Sequence, residues 1–165
     1  MDTTTIRTAA IDDLAAMVEV HTQARTAYYR AGGLAEAELA DPVEHAERTA
    51  GWRRAIGGER HIALCAVRGD RVVGVLSMGA LEEGVCELYQ LHVRPGSWGL
   101  GIGSRLHAAY LAALRDALVP YGRLCVWERN GRAREFYVRH GWRADGHRTP
   151  GPGGADYLRT RLRVG

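Results

Sequence analysis

The sequence predicts a mixed β-sheet flanked by helices on both faces. Three observations lead there. The front third carries helical spacing, a cluster of short β-rich runs follows, and the back third alternates strand, helix and strand. At 165 residues, with 46% apolar and 25% charged residues, the chain has the size and composition of one ordinary soluble domain.

Ile6 and Arg7 open a short strand, and Asp12 or Asp13 can cap a helix with Leu14, Met17, Val18 and His21 on one face, running to about Tyr28. Gly32-Gly33 breaks that helix. A second begins near Asp41-Pro42, with proline in the first turn, and ends before Gly57-Gly58. Ile62 to Val67, a Gly69-Asp70 turn, Val72 to Met78 and Val85 to Val93 read as an antiparallel meander. Ile102, Leu106, Tyr110, Ala113 and Ala117 restore helical spacing until Pro120 and Gly122, and Arg123 to Trp127 reads as a strand. Asn130 starts a helix that Gly141 ends, and Tyr157 to Val164 gives a last strand.

The start, Met1 to Arg7, has no basic stretch followed by an apolar run, and no window is long enough to span a bilayer, so neither a signal peptide nor a membrane partner is expected. Cys65, Cys86 and Cys125 each sit in an apolar run and read as small buried hydrophobes. Their odd number and spacing suggest neither a disulfide framework nor a metal site, which fits a cytoplasmic location. The net charge of +3 comes from scattered arginines, which gives no footprint for nucleic acid.

The segment Val93-Arg94-Pro95-Gly96-Ser97-Trp98-Gly99-Leu100-Gly101-Ile102-Gly103-Ser104 joins an apolar strand to an amphipathic helix. Glycines at 99, 101 and 103 clear side chains where a ligand must approach the backbone, and the unpaired amides and dipole of a helix start favour an anion. A pyrophosphate fits. The competing reading is a glycine-rich helix entry with no ligand. A P-loop would need a lysine after Gly103, and the dinucleotide fingerprint needs G-x-G-x-x-G after a first parallel strand, so neither matches.

Val93, Pro95, Gly99, Gly101 and Gly103 resemble, in register, the V-x-P-x-x-(Q/R)-G-x-G-x-G acyl-CoA motif of the GNAT-type N-acetyltransferases, with Trp98 at the Q/R position. Leu124, Val126, Asn130, Ala133, Phe136, Tyr137, Gly141 and Trp142 resemble the same family's later strand-helix-strand signature, with Trp142 where phenylalanine is usual. The resemblance implies one α/β (α+β) acetyltransferase domain over residues 1–165, with a mostly antiparallel twisted sheet of about seven strands. It implies acetyl-CoA as co-substrate and no metal. The coenzyme would be held by Leu91, Val93, Trp98, Gly99, Leu100, Gly101, Ile102, Gly103, Ser104, Asn130 and Tyr137.

Acyl transfer from a thioester to an amine needs a neutral amine, a polarised carbonyl and a proton for the leaving thiolate. Glu87, a carboxylate among Val, Cys and Leu, is the candidate base, and a surface ion pair with an arginine is its other reading. Leu91 would share the face of Glu87 in an unbroken strand, and the resemblance makes its backbone N–H the oxyanion donor and the backbone of Val93 a partner of the pantetheine arm. Tyr137 would protonate the thiolate, a phenol being protonated at neutral pH, although it could also be a core aromatic. Asn130 could cap its helix, contact the arm, or do both. His92 alternates away from Leu91, as a structural residue or at the acceptor edge, and Trp127 reads as core with Glu128 a reserve base.

The resemblance places the acceptor against Thr26 to Trp52, where Tyr28, Tyr29 and Trp52 supply aromatic walls and Glu36 and Glu38 could receive an amine. The same residues could cover the core or make a homodimer contact. The expected activity is transfer of an acetyl group to a small-molecule primary amine. Its alternatives are a protein N-terminal or lysine acetyltransferase, a non-catalytic acyl-CoA sensor, and a nucleotide-binding oxidoreductase.

Overall fold

The computed structural model describes residues 3–82 and 84–165, so the reading of Met1 and Asp2 lies outside the described residues. The elements follow as β1 (Thr4–Thr8), α1 (Leu14–Ala31), α2 (Glu36–Leu39), α3 (Pro42–Gly57), β2 (His61–Arg68), β3 (Arg71–Gly79) and β4 (Val85–Val93). After them come α4 (Ile102–Asp116), β5 (Tyr121–Trp127), α5 (Gly131–Arg139), β6 (Arg143–Pro150) and β7 (Asp156–Arg163). Seven strands make one sheet in the order β1-β2-β3-β4-β5-β7-β6. Every neighbouring pair is antiparallel except β4–β5, which is parallel. The mixed, mostly antiparallel sheet is the expected one.

Its two faces are covered by different helices. Met17, Val18 and Val20 of α1 and Trp52 and Ala55 of α3 pack on Ala63, Cys65 and Val75. On the rear, Ile102, Leu106, Tyr110 and Leu114 of α4 pack on Ala66, Leu76, Met78 and Leu124. β3, sandwiched between these layers, is buried from Val72 to Gly79. That explains its apolar run, interrupted only by the buried Ser77, which a one-sided strand would not show. Asp41 accepts the Val43 N–H at 2.9 Å to start α3, with Pro42 in the first turn.

Three local features differ from expectation. β6, an unanticipated strand, is exposed along its whole length and reads R-A-D-G-H-R-T-P, so apolar alternation could not announce it. Its pairing with β7 slips between Ala144 and Arg148, around Gly146 at φ +89°, as suits a charged and irregular sheet edge. α2, four residues long, is too short to carry a period. Cys125 is exposed where Cys65 and Cys86 are buried, because it faces an open cleft on the sheet and not the core packed under α1 and α3.

β4 and β5 pair only at Val85–Glu87 against Tyr121–Arg123 and then part. Near this short junction the Tyr110 hydroxyl donates to the Cys86 carbonyl at 2.7 Å. Gly122 makes room for it: a Cβ there would lie 2.6 Å from the Tyr110 oxygen and 2.9 Å from the Trp142 ring. Gly122→Ala should therefore destabilise the protein by about 1–3 kcal/mol through overpacking, read as a lower midpoint in chemical denaturation, whereas Gly131→Ala, in open space, should not.

Candidate functional site

Where β4 and β5 separate, two cavities open side by side. The larger, about 560 Å³, lies against α1 and α3 and is lined by His21, Tyr28, Tyr29, Trp52 and Gln90 among others. The smaller, about 240 Å³, is lined by Trp98, Gly99, Gly101, Gly103, Ser104 and Arg132 with neighbours from α5. Tyr28, Leu91, His92, Asn130, Ala133 and Tyr137 line both, so the cavities meet there.

The smaller cavity contains the glycine segment. Gly99 and Gly101 adopt left-handed backbone at φ +80° and +79°, with nothing within 4 Å of where a Cβ would stand. Gly103 has a different reason, since its Cβ would touch the Phe136 ring at 3.5 Å. Among the described residues no backbone carbonyl accepts from the N–H groups of Gly99 to Ser104, which leaves the start of α4 open to an anion. The Trp98 indole N–H donates to the Val93 carbonyl at 2.9 Å, and the Arg132 guanidinium lies 4.1 Å above its ring. Ser104 faces His140 across α4 and α5 at 3.4 Å.

At the junction, the phase of the β3–β4 ladder orients the backbone. The Arg94 N–H donates to the Val73 carbonyl at 2.8 Å, and Val93 stands opposite Gly74. Amides alternate direction along a strand, so those of His92 and Arg94 face β3 while those of Leu91 and Val93 face the gap left by β5. A register shift between Leu88 and Gln90, at Tyr89, changes the side-chain parity. Leu88 and Leu91 consequently both pack toward α4, and Glu87 and Leu91 do not share a face as an unbroken strand would require. Tyr137 reaches the same junction; burial pushes its hydroxyl pKa up, and that hydroxyl has no hydrogen-bond partner among the described residues. The Asn130 side chain accepts the Ala133 N–H at 3.3 Å, capping α5 while lining both cavities.

Glu87 forms an ion pair with Arg123, its register partner on β5, and lines neither cavity. It lies beside Cys125, whose thiol pKa rises mainly through burial and also through that carboxylate. Trp127 is core, packed on Tyr29, and Glu128 is held by Arg148 and the Asp156 N–H.

Tyr28, Tyr29 and Trp52 all line the larger cavity. The Trp52 indole N–H donates to His21 Nδ1 at 2.9 Å, and His21 stacks on His92 with centroids 4.2 Å apart. Burial, with help from nearby charges, holds both imidazoles neutral, lowering His92 to about 3. His92 is thus too weak a base to carry a proton at neutral pH. Glu36 and Glu38 are engaged elsewhere, by Arg30 and the Ala35 N–H. The carboxylates that line the cavity are Glu44 and Glu47, together with the guanidinia of Arg25, Arg48 and Arg54. Sequence reasoning missed these, although one signal was present: His21, Arg25 and Tyr28 continue the inward face of α1 begun by Met17, where polar groups need a purpose.

A family model described as the acetyltransferase (GNAT) family matches residues 14–142, most of the chain. The chain belongs to this acetyltransferase family. An uncharacterized N-acetyltransferase of Mycobacterium tuberculosis H37Rv is 32% identical over 94 residues, covering 54% of this chain and 58% of the relative, so the match spans little more than half that protein. Among solved structures, the PaiA N-acetyltransferase of Thermoplasma acidophilum in complex with coenzyme A superposes with a TM-score of 0.79. It is 19% identical, covering 95% of this chain and 98% of that one. The ribosomal-protein-S18-alanine N-acetyltransferase of Escherichia coli gives 0.71 at 17% identity, covering 98% and 94%. At these identities the likeness shows the fold, which is that of the GNAT acetyltransferases. No group of three or more His, Cys, Asp or Glu that could hold a metal occurs among the described residues, and none of the described helices is long and apolar enough to cross a membrane.

The buried imidazoles make stability pH-dependent. His21, His92 and His107 have folded pKa values below the ordinary 6.5, chiefly through burial, His107 at about 4. Between about pH 6.5 and 4 the unfolded chain binds protons that the folded chain refuses, so stability falls as pH drops through that window. Melting temperature should decline from pH 7 to 5, while ring chemical shifts of His92 and His107 in the folded protein should stay those of neutral imidazole at pH 5.

Proposed function

We propose that residues 1–165 act as one cytoplasmic acetyltransferase domain that transfers an acetyl group from acetyl-CoA to the primary amine of a small molecule, by direct attack in a ternary complex. The observation that carries this reading is the meeting of an anion-seeking cavity and an aromatic-walled cavity at a free tyrosine hydroxyl and two strand amides facing the gap. The solved relative from Thermoplasma acidophilum, in complex with coenzyme A, supports the choice of coenzyme.

The amides of Gly99 to Ser104 receive the pyrophosphate, and the open space over Gly99 and Gly101 admits it. Arg132 supplies the cation that Trp98 cannot. It sits in the first turn of α5, where the helix dipole disfavours a positive charge unless an anion shares the site. Leu91 N–H polarises the thioester carbonyl and stabilises the oxyanion as the amine nitrogen bonds to the carbonyl carbon. As the carbon–sulfur bond breaks, Tyr137 gives its proton to the thiolate. The ammonium proton leaves through water toward Glu87 on the front face, after which Tyr137 is reprotonated from solvent. Tyr28, Tyr29 and Trp52 enclose the acceptor.

Tyr137→Phe should lower kcat by about 10²–10⁴-fold with little change in acetyl-CoA affinity. Glu87→Gln should lower kcat/KM by about 10²-fold if the carboxylate accepts the proton; a change under about threefold assigns it to holding Arg123 instead. Tight coenzyme binding with no acceptor-dependent thiol release from a broad amine panel would leave a non-catalytic binding module.

For the cradle, Arg132→Gln should weaken coenzyme A binding by about tenfold or more in calorimetry, the size of a charge-assisted contact to phosphate. Trp98→Phe, which keeps a ring beneath the guanidinium, should lose much less. Equal effects, or none from Arg132→Gln, would remove that arginine from the site.

A further inference from the structure

The larger cavity carries a charge pattern that the acceptor must satisfy. Arg25 is buried, paired with Glu44 and lying 4.9 Å over the Tyr29 ring. Arg48 is treated differently. Glu44, one turn before it on α3, reaches to Arg25, so Arg48 is left without a carboxylate partner: its Nε donates to Thr22 Oγ1 at 3.1 Å, and a terminal nitrogen lies 3.3 Å from His45 Nδ1. No carboxylate approaches Arg48 within ion-pair distance among the described residues. It is half-buried and lines the cavity, which it shares with Arg25, already neutralised by Glu44, and with the exposed Arg54.

A guanidinium taken partly out of water without an anion loses solvation that nothing else returns. Its planar donor fork matches a carboxylate. The nearby imidazoles of His21 and His92 cannot supply the countercharge, being neutral or cationic at any pH. Glu47 also lines the cavity but makes no ion pair with Arg48. Tyr28, Tyr29, Trp52 and Tyr157 give the cavity an aromatic wall.

We propose that the acceptor is an amine that also bears a carboxylate, an amino acid or short peptide with its free acid on Arg48, its amine at the junction beside Tyr137 and His92, and its apolar body against the aromatic wall. This rests on the acyltransferase reading above.

The test uses matched sets: amino acids, their dipeptides, their amides and their decarboxylated amines, assayed by acetyl-CoA-dependent thiol release. The carboxylated members should exceed the amides and decarboxylated amines by about tenfold or more in kcat/KM, and comparison of amino acid with dipeptide distinguishes the two sources. In Arg48→Gln the ratio should fall toward one, mainly through KM, with partial recovery in Arg48→Lys and unchanged coenzyme A affinity. A ratio near or below one in the unaltered protein, or one that survives Arg48→Gln, overturns the proposal. A second measurement does not need turnover. Calorimetry on coenzyme-saturated protein should show N-acetyl amino acids binding at least tenfold tighter than the matching N-acetyl amines, and lack of that preference, or of any binding, overturns it. Preferential binding without turnover would instead defeat the catalytic reading while leaving the acceptor class standing.

Discussion

The parting of β4 from β5 is the constraint on which the rest of the molecule depends. Three residue pairs join the strands, and beyond Glu87 and Arg123 their facing edges have no ladder. Unpaired backbone in a fold interior is normally costly, and the structure answers at each point. The Trp98 indole occupies the Val93 carbonyl, α5 with Phe136 and Tyr137 fills part of the gap, and the Tyr110 hydroxyl holds the Cys86 carbonyl near the root of the cleft. What stays open is the set of amides at Leu91, Val93 and the start of α4. An edge that would invite aggregation elsewhere becomes a row of donors beside the two cavities.

The two cavities solve opposite electrostatic problems. Near α4 the protein offers partial positive charge through backbone dipoles and adds a full charge at Arg132, which is exposed and cheap to hold there because its body rests on an indole ring. Near α1 and α3 charge has been brought inside, where Glu44 answers Arg25 and hydrogen bonds to Thr22 and His45 hold Arg48. The imidazoles of His21 and His92 add polarity without charge, held neutral by burial and tied to Trp52 and Gln90. The larger cavity is therefore polar and lined by more guanidinia than carboxylates.

Features set by local chemistry could be read from the sequence. Gly99 and Gly101 announce left-handed backbone at a helix start, Gly69-Asp70 announces a tight turn, and the shift from helical to strand periodicity at His61 places the meander. Features set by distant partners could not. The irregularity at Tyr89 depends on how β4 meets β3, and it alone moves Leu91 off the face of Glu87. β6 is held by the backbone of β7 and carries no apolar pattern, and Arg132 becomes notable only when Trp98, 34 positions earlier, is found beneath it. Likewise the engagement of Glu36 and Glu38 at helix ends, and of Glu44 by a neighbouring helix, decides which carboxylates face the cavity.

Trp98 shows how a motif position can change while the physical requirement at the site persists. Its usual occupants reach the phosphates by side chain from the strand-to-helix turn. An indole cannot do so, yet it contributes a donor for the Val93 carbonyl and a face for a cation. With Arg132 on that face, the positive charge arrives from α5 instead of from the turn, and the same side chain that displaced the polar group positions its replacement. The cradle then depends on contact between two elements far apart in sequence, so its affinity for an anion becomes a function of how α5 docks. Because α5 also carries Tyr137, the docking that sets Arg132 over the Trp98 ring also brings the phenol to the junction, so one packing event places both the charge and the hydroxyl.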